Sequence, residues 1–310
     1  MVFSLLAWLA MQPDPASIRR LFEENVARCE RKYGAADART GQAARDLGLF
    51  LKEQGDTGGA RDTLARALRI DEQALGAGNG QTLADAAELA AVSPPAPAQA
   101  LWQRAAASRD PELAARALAA LGDLRSAEED QASAVSLYRK ALAKQEEATG
   151  KDSARVAVRL NALAVVVSPR EGVSLLERAL AINLRLLGPR HPETSTTQAN
   201  LAGLLLNTGR PDAAIRAANE ALAGLEETVG PEHPRTASVC FILASCWRRK
   251  GDRARAERLY RRALSIDEKA YGPRRPETLE DVRALAELLR EAGRAREAAE
   301  LEKRLPGVER

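Results

Sequence analysis

The sequence predicts an all-α fold built from stacked antiparallel helix pairs. Three observations predict it. Ala, Leu, Arg and Glu dominate the composition and aromatics make up only 4%, a blend of strong helix formers. A Gly-led string returns at a fixed step: GPRHPETST at 188–196, GPEHPRTAS at 230–238 and GPRRPETLE at 272–280, each 42 residues from the last. Between copies, apolar residues recur at three and four residues, the spacing of one helix face.

The chain's 310 residues would make about two globular domains at roughly 150 residues each. A repeat array instead replaces such domains with a run of like units. The balance of 46 basic and 43 acidic residues leaves a net charge of +3. That lacks the concentrated basic footprint of a nucleic-acid binder, so no nucleic acid is expected as a partner.

In chain order, residues 1–33 come first. MVFSLLAWLAM is apolar, a Pro-containing turn follows, and a second helix ends at Tyr33-Gly34 with Phe22 in a large-residue position. The expectation is a slightly truncated first repeat; a targeting or anchor segment over residues 1–12 is the alternative. A secretory reading lacks a positive n-region and an A-x-A site. No apolar run reaches the ~18 residues of a membrane-spanning helix, so no span is expected.

Residues 34–305 then read as the array. First helices carry DLGLFLKEQGD, NLAGLLLNTGR, ILASCWRRKGD and ALAELLREAGR; second helices end ARALRIDEQALG, ERALAINLRLLG and RRALSIDEKAYG. Small residues recur seven apart on the second helices, at Ala60/Ala67, Ala134/Ala141, Ala214/Ala221 and Ala256/Ala263, where two helices must approach closely. Leu64, Tyr138 and Tyr260 fill the gaps between them. Over 77–187 the pattern degenerates: AAVSPPAPAQA and VVVSPREGVS shorten turns, and DLRSAEEDQAS lacks the turn Gly. Residues 306–310 form a polar tail. With Leu305 where a small residue belongs, the end reads as a solvent-facing cap, and the chain is expected to end with its fold.

The recurring string reads as stop, turn and restart. Gly188, Gly230 and Gly272 end a helix in the left-handed region, Pro opens the next, and Thr194, Thr236 and Thr278 sit just inside its start. A metal site would need His191 and His233 to converge with about two further ligands. They are one repeat apart, and the third copy carries Arg275, so no metal is expected.

These residues resemble tetratricopeptide repeats, of the 42-residue kind found in kinesin light chains and many bacterial proteins. The small–large–small spacing and the HPET/HPRT entry carry the resemblance, strongly over 34–76 and 188–300 and more weakly over 77–187. It implies a right-handed α-solenoid of about seven antiparallel helix pairs. It also implies a concave surface lined by first helices, where Asn and basic residues hold an extended peptide. Carried over position by position, the groove residues are Arg45 and Lys52 in the 34–76 repeat, Arg116 and Asp123 in 110–150, and Asn161 in 150–188. The later repeats add Asn200 and Asn207, then Phe241, Arg248 and Arg249, then Arg283 and Arg290. The slot of Asn200 holds Asp46, Glu88, Ala120, Ala162, Ile242 and Ala284 elsewhere, so no regular Asn ladder exists. Asn amides pair with peptide N–H and C=O, and Arg forks onto carboxylates.

Chemistry finds little foothold. Phosphate-loop, dinucleotide, nucleophile-elbow and HExxH strings are absent, so catalytic residues and cofactors are expected to be none. Cys29, Cys240 and Cys246 have no zinc-type spacing and read as reduced apolar residues, in keeping with a cytoplasmic location; an exported or anchored chain is the alternative. The basic segment WRRKGDRARAERLYRR at 247–262 reads as solvated helix faces or as a patch for acidic peptide or phosphate. The expected function is a non-enzymatic protein–protein interaction scaffold that takes a protein or peptide. The alternative is a sensor for a peptide or small ligand.

Overall fold

The computed structural model of the chain describes residues 14–305. Over them it is all-α, with fifteen helices and no strand. The chain divides into two compact units, Met1–Ala148 and Thr149–Arg310.

In the first unit, α1 (Pro15–Tyr33) precedes three pairs: α2 (Ala38–Glu53) with α3 (Thr57–Leu75), α4 (Gly80–Ala91) with α5 (Pro95–Ala106), and α6 (Pro111–Ala127) with α7 (Gln131–Thr149). The second unit holds four pairs: α8 (Ala154–Ala164) with α9 (Pro169–Leu186), α10 (Pro192–Asn207) with α11 (Pro211–Thr228), α12 (Pro234–Arg249) with α13 (Arg253–Tyr271), and α14 (Pro276–Glu291) with α15 (Ala295–Glu302). Seven pairs of right-handed α-solenoid type result. The question of residues 1–12 and the tail 306–310 lie outside the described residues.

Local chemistry sets the ends. Asp37, Asp56, Asn79, Asp110, Ser153 and Asp252 cap helix N-termini by accepting a backbone N–H, satisfying one of the donors a helix start leaves free. The two histidines do the same: Nδ1 of His191 accepts from Glu193 N, and Nδ1 of His233 from Arg235 N, both at 3.1 Å. Their role is therefore that of a cap, and Arg275, in the third copy, makes no side-chain cap. Thr40, Thr194, Thr236 and Thr278 each donate Oγ1 to the carbonyl six residues back, at 2.8–2.9 Å. That bond ties the left-handed Gly to the new helix and marks a common register.

The turn within five of the seven pairs takes one left-handed residue. Gly55, Gly209, Gly251 and Gly293 supply it at φ of 76 to 83°, and Glu129 takes the same place at φ 61° where the sequence lacks Gly. The paired alanines are fully buried, as are Leu64 and, nearly so, Tyr138 and Tyr260. Backbones approach so closely that a Cβ on Gly122 would lie 2.9 Å from the Tyr138 ring. Each pair thus exposes an apolar face that only a neighbouring pair covers. Phe22 of α1 meets Phe50 of α2 with ring centroids 5.2 Å apart. Cys240 and Cys246 are buried free thiols, pushed up to about 11 by burial, and behave as small apolar residues.

Candidate functional site

First helices of successive pairs lie side by side within each unit, and most of the residues singled out from the sequence sit on them. Their side chains fall into three groups.

Arg45 on α2 is the correction. It is only 6% exposed, bonded to Asp71 on α3 at 2.8 Å, to Gln42 at 2.6 Å and to Asp85 on α4. Its guanidinium is consumed inside the unit and has nothing left for a partner. Lys52 on α2 and Arg116 on α6 both pair with Glu88 on α4, at 3.1 and 2.5 Å. These two cations hold three first helices together and keep the Glu88 carboxyl below its usual range, although its burial alone would raise it. Asp123 accepts from the Tyr138 hydroxyl at 2.5 Å.

The second unit holds the amides. Asn161 on α8 donates to Thr197 Oγ1 at 2.9 Å and to its own helix at Ala157 O, and its Oδ1 accepts from Asn200 on α10 at 3.2 Å. Two successive first helices are thus joined through their amides.

Farther along, Asn207, Arg248 and Arg249 gather with Ser245, Tyr260 and Glu291 around a cavity of about 390 Å³. Arg248 is bound by Glu291 and by Glu287, the latter at 3.0 Å, so its charge is already met. Arg249 is exposed and donates only to Leu206 O at 3.1 Å; no carboxylate neutralises it. Arg283 and Arg290 of α14 are exposed, and Arg290 pairs with Glu302 at 2.5 Å. Phe241 of α12 packs edge-on to Tyr260, centroids 5.3 Å apart. Other cations of the basic segment 247–262 are also paired, Lys250 with Asp212 and Arg262 with Glu226 on a neighbouring helix, and Arg261 with Glu257 on its own.

Among the described residues, no group of three or more His, Cys, Asp or Glu has a metal-holding arrangement. None of their helices is long and apolar enough to cross a membrane.

Residues 169–227 and 241–305 match the family model described as "Tetratricopeptide repeat". Those two segments are tetratricopeptide repeats. Among solved structures this repeat protein is similar to BtubC (BKLC) from P. vanneervenii, at 23% identity and TM-score 0.57, over 66% of this chain and 87% of that one. It is also similar to a putative kinesin light chain with nearly identical repeats from Podospora anserina, at 23% identity and TM-score 0.53, over 63% of this chain and 94% of that one. The Rap protein complexed with Competence and Sporulation Factor aligns over 93% of this chain and 75% of its own, at 14% identity and TM-score 0.57. Among curated protein sequences there is no match. Tetratricopeptide repeats build protein-interaction scaffolds,.

Sequence reasoning missed one set of positions in this repeat protein. In the register marked by the threonines, three side chains from successive helices converge: one five residues after the Thr, one near the end of the second helix, one on the next first helix. The set is Arg45, Asp71 and Asp85 at its first occurrence. It is Asn161, Asn183 and Thr197 at another, where Asn183 donates to Thr197 at 3.1 Å. It is Ala199, Leu225 and Val239 at a third, and Phe241, Asp267 and Asp281 at the last. The signal lay in the paired strings RIDE and SIDE, which place an Asp on the buried side of a second helix, where an acid is not expected to be alone.

Proposed function

We propose that the chain is a non-enzymatic scaffold that binds an extended protein segment along the first helices of its second unit. The observation that carries this is the convergence of Asn207, Arg248 and Arg249 on one cavity. Of these, Arg249 alone has a guanidinium that no carboxylate meets. An exposed, unneutralised Arg beside an Asn is suited to a peptide carboxylate and the neighbouring backbone amide. The amide pair of Asn161 and Asn200 lies on earlier first helices of the same unit and offers backbone recognition of the same kind. A fold relative of this chain, the Rap protein, is itself seen complexed with Competence and Sporulation Factor.

Peptide-library selection on the purified chain tests the proposal. Selected peptides should carry an acidic residue. Arg249→Glu should weaken them at least about tenfold, or about 1.4 kcal/mol, with helix content unchanged. Unaltered affinity in both Arg249→Glu and Asn207→Ala would place binding elsewhere.

A further inference from the structure

The Asp pair recurs, but its cation does not. At the first occurrence Asp71 and Asp85 are 1% and 0% exposed, and Arg45 reaches between them. Burial and Asp85 push Asp71 up while Arg45 pulls it back. At the last occurrence the same two positions are Asp267 and Asp281, 7% and 3% exposed. The residue in the place of Arg45 is now Phe241. Oδ1 of Asp267 and Oδ2 of Asp281 are buried without any hydrogen-bond partner, as are Oδ1 of Asp71 and Oδ2 of Asp85; the difference is that Arg45 meets the other oxygen of each acid in the first set, and no cation does so in the last. A buried carboxylate with neither cation nor donor is strongly disfavoured.

These two carboxyls also border open space. With Phe241 they line a cavity of about 520 Å³ between α12, the end of α13 and the start of α14. Glu277 and Glu280 add acid from α14; His233 and Arg235 stand at the start of α12. No cation acts on Asp281: burial, Asp267 and Glu280 all push it up, to about 7. Asp267 is pushed up to about 6 by burial and Glu277. The acids lack a metal-holding arrangement. Their arrangement matches instead the one that receives a guanidinium elsewhere in the same chain, and Phe241 lines the same cavity with an aromatic ring,.

We infer that the cavity of Asp267, Asp281 and Phe241 is a receptor for an incoming guanidinium, supplied by an arginine side chain of the bound partner in place of an internal Arg. The arginine-peptide source rests on the proposed scaffold function; the guanidinium site does not. The guanidinium would donate to both carboxylates, as Arg45 does to Asp71 and Asp85, and its flat face would lie against the ring of Phe241.

The test is calorimetric titration of the full chain with acetyl-Gly-Arg-Gly-amide, its citrulline and lysine counterparts, and free arginine. At pH 8 the arginine peptide should bind at least about tenfold more tightly than the uncharged citrulline isostere, the scale of one charge-assisted fork. Binding should fade by pH 5, as the acids take up protons. Asp281→Asn and Asp267→Asn should each abolish it. Phe241→Arg should abolish it too and raise the melting temperature at pH 8, since the internal guanidinium then fills the site. No difference between arginine and citrulline, or binding that survives Phe241→Arg, overturns the inference. Equal binding of the lysine peptide overturns the guanidinium assignment. Free arginine matching the peptide upholds the guanidinium site and removes the peptide source, whereas loss of the selected acidic peptides alone would fault only the scaffold reading.

Discussion

A carboxyl group buried without a partner is the sharpest residue-scale feature of this chain. Asp281 is pushed up from 3.8 to about 7 by burial, by Asp267 on α13 and by Glu280 on its own helix. Such a group holds its proton more tightly in the folded chain than in the unfolded one. Its stabilising effect is therefore full below the unfolded value and is lost as pH rises through the folded value. Asp281→Asn removes this dependence. The variant should gain on the wild type steadily between pH 4 and pH 8, ending ahead by on the order of 2 kcal/mol. Urea unfolding at pH 4.5, 6 and 8 measures it; a gap that stays constant across those values would show that folding does not raise the Asp281 carboxyl at all. The SIDE string hints at Asp267, but Asp281 looks like one more acid on an Arg- and Glu-rich helix, so the pair was not legible as a site. Only the packed register shows that the position five residues after Thr236 holds a ring where Thr40 is followed by a guanidinium.

At the scale of an element, the helix pairs were legible because each carries its own start, stop and buried stripe. The buried alanines at 60/67, 134/141, 214/221 and 256/263 are where the spacing put them. The two histidines were legible as punctuation, though not as caps, because capping by Nδ1 depends on ring orientation. What the side chains of first helices would meet was less legible. Arg45, Lys52 and Arg116 look alike in sequence, yet the first is buried between acids and the other two share Glu88. The turn between α6 and α7 also shows a local cost. Glu129 occupies φ 61° where its counterparts are Gly, and a side chain in that region costs roughly 1 to 2 kcal/mol. Replacing it with Gly relieves strain but enlarges the unfolded ensemble. Glu129→Gly should therefore stabilise the chain by about 0.5 to 1 kcal/mol. Chemical denaturation gives the sign; a destabilised variant would mean that the exposed Glu129 side chain makes a compensating interaction.

For the whole molecule the question is which force joins one repeat to the next. Two candidates are present: the small-residue packing that hides apolar faces, and ion pairs between successive repeats. The pairs include Arg66 with Glu30, Lys250 with Asp212, Lys269 with Glu232 and Arg294 with Glu257, all at substantial exposure. Exposed pairs of this kind are worth about 0 to 1 kcal/mol each. Salt at about 1 M shortens the screening length to about 3 Å. Packing of the Ala, Leu and Tyr side chains does not respond to screening. If packing holds the repeats, 1 M sodium chloride should lower the unfolding free energy at pH 7.5 by no more than about 1 to 3 kcal/mol, since pairs of near-zero worth have little to lose. The denaturant slope, which follows buried area, should not change. A larger loss, or helix content that collapses in salt alone, would assign the cohesion of the array to its charges instead. The same titration bears on the guanidinium receptor. Its two acids are buried, so an arginine peptide should resist salt better than the exposed ion pairs do.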